Sequence, residues 1–162
     1  MGERGKMAIL NILNDTEETL RKKSRPVEKI SPRLHQLLDD MQETLKLSGG
    51  VGLAAPQVGI LRRVVLVDNG EQVLELINPQ IIETKGVQEE VEGCLSVPGR
   101  WGITRRPAYV KVRAMDRNGK TYEADGTGIV ARCFCHELEH LDGILFTDKV
   151  LRMLTEEEIE KL

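Results

Sequence analysis

Aromatic residues are scarce in this chain of 162 residues: two Phe, two Tyr and one Trp, 3% of the total. The core must therefore be assembled mostly from Leu, Ile, Val and Ala, within a hydrophobic share of 40%. Cysteine is sparse too. Three is an odd number, and Cys133 and Cys135 stand beside a pair of histidines, so the pattern does not describe a disulfide framework. It points to a reducing, cytoplasmic setting. An excess of one charge is missing as well, since 23 basic and 26 acidic residues leave a net −3. That balance gives no electrostatic footprint for a nucleic acid or an anionic membrane surface. No apolar run approaches the ~20 residues that a transmembrane helix needs. Met1 to Lys6 is charged, and the apolar Met7-Ala-Ile-Leu10 is too short for a signal-peptide core. We read residues 1–6 as a flexible extension, Met7 as a candidate start, and 7–162 as a single domain.

Histidine is a further rarity, and its distribution carries the argument. Two of the three histidines fall in Cys135-His136-Glu137-Leu138-Glu139-His140. On a helix, residues four apart lie one above the other. His136 and His140 can thus hold one metal ion from the same side, with Glu137 reaching a water there. This is the His-Glu-x-x-His spacing of a metal-dependent hydrolase with glutamate as general base. The plainer alternative, a helix with two surface histidines, needs that spacing to arise by chance.

Two imidazoles are an incomplete catalytic set, which usually has three protein ligands and one open position. Candidates for the third are Cys94, Cys133, Cys135, Glu139 and more distant acids. Cys133 shares the helix face of His136 but lies beside the histidine pair rather than opposite it. Cys135 points off that face. Cys94 follows a predicted strand and a glycine that frees the backbone for close approach. These arguments favour Cys94 and leave Cys133 open. A thiolate ligand suits Zn(II) or Fe(II).

The rest of the chain supplies a frame. An extended arm or short helix is expected before residue 30. Ser31-Pro32 starts a helix on which Leu34, Leu37, Leu38, Met41 and Leu45 recur at helical spacing, ending at Gly49-Gly50. His35 lies off that stripe and reads as solvent-facing. Gly49 to Gly59 is rich in glycine and alanine and leaves its backbone open to a ligand, or is simply a loop. Strands are expected at 64–68, 72–77, 80–83, 87–91, 109–115 and 120–124, with Asn69-Gly70 and Asn118-Gly119 as hairpin turns. Gly126-Thr127-Gly128 opens the motif helix and Gly143 ends it; Thr155 caps a short terminal helix. The order predicts an α+β fold, antiparallel strands packed around a central helix carrying His-Glu-x-x-His.

Three stretches in this order resemble the motifs of peptide deformylases. Gly50-Val-Gly-Leu-Ala-Ala-Pro-Gln57 resembles that family's Gly-x-Gly-x-Ala-Ala-x-Gln. Glu92-Gly-Cys-Leu-Ser96 resembles its Glu-Gly-Cys-Leu-Ser, and His136-Glu-Leu-Glu-His140 its His-Glu-x-Asp-His. Cys135 and Glu139 depart from the family's usual Gln and Asp. The resemblance implies a deformylase-like fold and removal of the formyl group from the N-terminal Met of new polypeptides, releasing formate. It implies Cys94, His136 and His140 as metal ligands and Glu137 as general base. The Gln57 amide and the Leu95 backbone N–H would receive the developing oxyanion. Gly52 and Gly93 would border a strand-like substrate, and Val51, Ile129, Arg132 and Cys133 would surround the Met side chain. Arg132 fits there if its stem lines the wall and its charge reaches out or pairs with an acid. Arg106 is a candidate contact further along the peptide. The metal would be Fe(II) in the cell, with Zn(II), Ni(II) or Co(II) able to replace it. Nascent chains would be the partners, with transient ribosome contact, no sequence-specific nucleic acid and no membrane.

Two readings compete. An endopeptidase would need a downstream His or Glu as third ligand, and no histidine follows His140. A binding domain with a structural metal would close the site with a fourth protein ligand such as Cys133 or Cys135.

Overall fold

The computed structural model describes residues 8–162. The expected extension at 1–6 and the start at Met7 therefore lie outside the described residues. Helix α1 (Pro32–Ser48) begins where the Ser31 hydroxyl accepts the Leu34 N–H and Pro32 takes the first turn. Such a cap is worth about 1 kcal/mol. The helix ends at Gly49, whose φ of +72° is the left-handed closure that glycine adopts without strain.

Among the described residues, eight strands make two antiparallel sheets. They are β1 (Gly52–Ala54), β2 (Val64–Asp68), β3 (Val73–Lys85), β4 (Gln88–Cys94), β5 (Val97–Arg106), β6 (Tyr109–Met115), β7 (Thr121–Thr127) and β8 (Val150–Met153). The larger sheet has the order β1-β2-β3-β6-β7 and the smaller β4-β5-β8. Helix α2 (Gly128–His140) lies on the larger sheet opposite α1, and the short α3 (Glu156–Glu160) is capped by Thr155.

The sequence of β2 explains the layering. Val64 and Leu66 pack with Leu34, Leu38, Met41 and Leu45 of α1. Val65 and Val67 point the other way, into the cluster containing Phe134 and Leu141 from α2 and the turn after it. A strand buried on both faces reads as an unbroken apolar run, as Val64-Val-Leu-Val67 does. The α+β expectation holds, with the motif helix α2 held against the sheet.

Several details differ from the expected elements. The strands expected at 72–77 and 80–83 are one strand, β3, which starts at Val73 and has a register shift between Ile77 and Gln80. Asn78 sits there with a φ of 52°, and its side chain exchanges two 2.8 Å hydrogen bonds with the Val27 backbone. Strands β5 and β8 escaped the pattern reading because Pro98, Gly99 and Gly102 interrupt the first and the second does not alternate. Gly126 and Thr127 finish β7 rather than starting α2. His35 is half-buried instead of solvent-facing, 2.6 Å from the Arg117 carbonyl.

Candidate metal centre

Two short-range constraints assemble the site. Helix spacing puts His136 and His140 on one face of α2, their ring centroids 5.0 Å apart. The hairpin that joins β4 to β5 turns in two residues, Leu95 and Ser96, and leaves Cys94 at its tip. One ligand atom from each of Cys94, His136 and His140 lies within 4.8 Å of the others. Cys94 Sγ is 3.4 Å from His140 Nε2. The alternative left open in the sequence, Cys133, stands outside this cluster and packs against Gly52 instead; a Cβ on that glycine would sit 2.5 Å from its Sγ. Cys135 lines a different cleft, with Arg106, Leu138 and Glu139. One thiolate with two imidazoles is a donor set suited to Zn(II) or Fe(II).

Behind the ligands is a charge network that the sequence reading missed. Glu92 Oε2 lies 2.5 Å from His136 Nδ1. The same carboxylate accepts from Thr104 at 2.7 Å and from Arg106 Nε and Nη2 at 3.1 and 2.7 Å. Burial alone would raise the Glu92 carboxyl, but the hydrogen bonds and charges of His136 and Arg106 hold it at about 2. Glu92 thus fixes the ring so that Nε2 is left for a metal. Spacing gave no signal for it, because the expected strand stopped at residue 91 and the β4–β5 register shifts between Glu92 and Cys94. Arg106 is corrected by the same contacts. It is buried, and its Nη1 reaches Glu139 at 2.8 Å, so it supports Glu92 and does not meet a peptide.

On the open side the arrangement is the reverse. Glu137 is 4% exposed, and its Oε1 has no hydrogen-bond partner among the described residues. Burial pushes its carboxyl up to about 7 against the opposing charge of His136. A buried polar atom left without a partner costs about 1–3 kcal/mol, so this carboxylate is not there for stability. Gln57 is the contrast, 1% exposed and fixed at both ends of its amide. Its Oε1 accepts the Ala54 N–H at 2.9 Å, while Nε2 donates to Ser96 Oγ at 3.1 Å and lies 3.7 Å from Cys94 Sγ. The Leu13 N–H holds the Gln57 carbonyl at 2.7 Å, so the N-terminal arm secures this turn.

A cavity of about 530 Å³ opens over Cys94, His136 and Glu137. It is lined by Val51 and Gly52 from the β1 side, by Gly93 and Leu95 from the hairpin, and by Ile129, Arg132 and Cys133 from α2. Ile129 is half-exposed rather than core, whereas Cys133 is buried, belongs to the core cluster and also lines the cavity. Of the two expectations for Arg132, a charge that reaches out or one that pairs with an acid, no acid partner is found among the described residues; its Nη1 donates to the Val91 carbonyl at 2.7 Å. Gly93 lies against Trp101, where a Cβ would be 2.3 Å from the indole.

The sequence profile of the polypeptide deformylases matches residues 9–156. The chain is 58% identical to a peptide deformylase of Alkaliphilus metalliredigens over 146 residues, covering 90% of this chain and 99% of that relative. It is 53% identical to one from Caldicellulosiruptor bescii over 155 residues, 96% and 93% of the two chains. The chain belongs to the peptide deformylase family. A crystal structure of a peptide deformylase from Legionella pneumophila superposes with a TM-score of 0.85 at 38% identity, covering 95% of this chain and 92% of that one. A Synechococcus elongatus peptide deformylase in complex with actinonin gives 0.84 at 37% identity, with 94% and 82% covered.

Deformylases are metal-dependent hydrolases that remove N-formyl groups from nascent polypeptides, and this chain is one of them. Neither departure from the family motifs lines this cavity: Cys135 and Glu139 both line the second cleft, and Glu139 is a partner of Arg106. No helix among the described residues is long and apolar enough to cross a membrane.

Proposed function

We propose the division of labour by which this chain deformylates its substrate. Cys94, His136 and His140 would hold one divalent metal ion, which would supply the Lewis acidity that makes water a nucleophile near neutral pH. Glu137 is the general base. It takes a proton from the attacking water and returns one to the leaving amine. Gln57 Nε2 and the Leu95 N–H donate to the carbonyl oxygen of the formyl group as it becomes negative. The observation that carries this reading is the pairing of a buried carboxylate with a partnerless oxygen, Glu137, with a pinned amide, Gln57, whose Nε2 lies 3.7 Å from Cys94 Sγ. The first must be free to exchange protons, and the second must not reorganise.

The peptide lies between the open edges of β1 and β4, bordered by Gly52 and Gly93 and pairing its backbone with them. Its Met side chain enters the space walled by Val51, Ile129, Cys133 and the stem of Arg132. The metal is Fe(II) in the cell, and Zn(II), Ni(II) or Co(II) fit the same donors. Residues 7–162 work as one unit in the cytoplasm, in transient contact with the ribosome. Release of formate from a short N-formyl-Met peptide tests the reading, with anaerobic Fe(II)-loaded protein beside chelator-stripped protein. Formate is expected from the first alone, with internal peptide bonds intact. Cleavage of unformylated peptides would move the chain to the endopeptidase reading. The iron form should lose activity in air as the thiolate or metal oxidises; activity stable for days in aerated buffer would count against iron.

A further inference from the structure

Arg132 is the one cation on the α2 wall of the cavity, and its charge is unspent. Among the described residues it forms no ion pair, and its one hydrogen-bond acceptor there is the Val91 carbonyl, at 2.7 Å. Its Nε is buried without a partner. The acids that share the cavity are engaged elsewhere: Glu92 is held by Thr104, Arg106 and His136, and Glu137 lies at the metal end. A half-buried guanidinium with spare donors facing a substrate groove fits an incoming carboxylate, which accepts charge-assisted hydrogen bonds from it.

Position follows from the strand. β4 is an edge of its sheet, and the Val91 carbonyl that meets Arg132 points off that open edge. Gly93, two residues on and next to Cys94, lines the same cavity as Val91, where the β4–β5 register shifts between Glu92 and Cys94. A peptide whose formyl group sits by Cys94 and Gln57 passes Gly93 with its first residue and reaches Val91 two residues later. There Arg132 already occupies the carbonyl, so backbone pairing ends and side-chain contact begins.

We propose that Arg132 makes the outer end of the cavity a subsite for a carboxylate on the third residue of the formylated peptide, a specificity contact that rests on the deformylase reading. The test uses metal-loaded full-length protein and amidated peptides of the form formyl-Met-Ala-X, with X as Asp, Asn or Lys. kcat/KM should favour Asp over Lys by about tenfold, carried by KM, as expected for one charge-assisted contact. Added salt should shrink that ratio. Arg132→Gln, which keeps a donor for Val91 but loses the charge, should bring the ratio to near one, and Arg132→Lys should retain part of it. Equal kcat/KM for Asp and Lys in the unaltered protein, with formate released from both, overturns the subsite and leaves the deformylase reading intact. A ratio that survives in Arg132→Gln removes Arg132 from it. No formate from any peptide would bring down the subsite together with the reading beneath it.

Discussion

Glu92 and Glu137 both line the cavity with His136, at nearly the same depth, 6% and 4% exposed. The hairpin surrounds its carboxylate with Thr104, Arg106 and the imidazole, and holds it ionised at about 2. Helix α2 leaves an oxygen of Glu137 bare, and burial pushes that carboxyl up to about 7. A buried charge is tolerable when its partners offset desolvation. Where they are withheld, the cost persists because another task needs the group free. The first carboxylate holds the ring still, and the second is left to move protons. A cation among the three ligands would draw Glu137 back toward its ionised form, so the bare oxygen is tuned for the loaded site.

The sharpest way to break this contrast is Glu137→Gln. Its shape is retained and only the proton carrier is lost, so turnover should fall by about 10²–10⁴-fold, the usual worth of general acid–base catalysis. Metal content should be unchanged, read by elemental analysis beside formate release. The melting temperature should stay level or rise, since a partnerless buried charge has gone. Unchanged turnover would remove Glu137 from the mechanism.

Next in size is Gln57→Leu. The amide is pinned by Ala54 and Ser96, so it meets the oxyanion without reorganising. Loss of one such donor costs about 10²–10³ in kcat. KM for the formyl peptide should change little, and a loss confined to KM would make Gln57 a binding residue only.

Glu92→Gln probes the supported side. Partners that orient a ligating histidine are worth about 10–100-fold in metal affinity. Chelator competition should report that loss. Breaking a buried pair costs about 3–5 kcal/mol, so the melting temperature should fall here where it does not for Glu137→Gln. Equal thermal behaviour of the two variants would dissolve the distinction between them.

How much of this was legible in the sequence follows from the range of the contacts. Helix spacing settles His136, Glu137 and His140 within five residues, and β2 announces its two buried faces in four. Cys94 needed a second argument, because it meets the helix from a hairpin 46 positions away in sequence. The resemblance to deformylase motifs joined what spacing could not. Arg106 was read as a peptide contact because β5 was not foreseen; only the pairing of β4 with β5 reveals that Glu92 buries it. Arg105 does lie outside, bridging to Glu89 at 2.9 Å. Gly93 was read as substrate border from the resemblance, and the indole of Trp101 supplies a packing reason for a glycine there as well.

The smallest effect is expected at Glu139, where the chain departs from its family's usual Asp. Glu139 takes Arg106 Nη1 at 2.8 Å, with Lys149 3.7 Å from its other oxygen. Its side chain is 21% exposed, against 6% for Glu92. Water can replace it, and Arg106 keeps both contacts to Glu92 when it is gone. A partly exposed ion pair contributes up to about 1 kcal/mol, so Glu139→Gln should lower metal affinity by no more than about fivefold. Glu139→Asp should be milder still, since the charge stays and only reach is lost. If Glu139→Gln matched Glu92→Gln in chelator competition, Arg106 would have to swing away from Glu92 whenever its outer partner is lost. The ring of His136 would then be held by the whole chain of charges out to Lys149, and not by Glu92 alone.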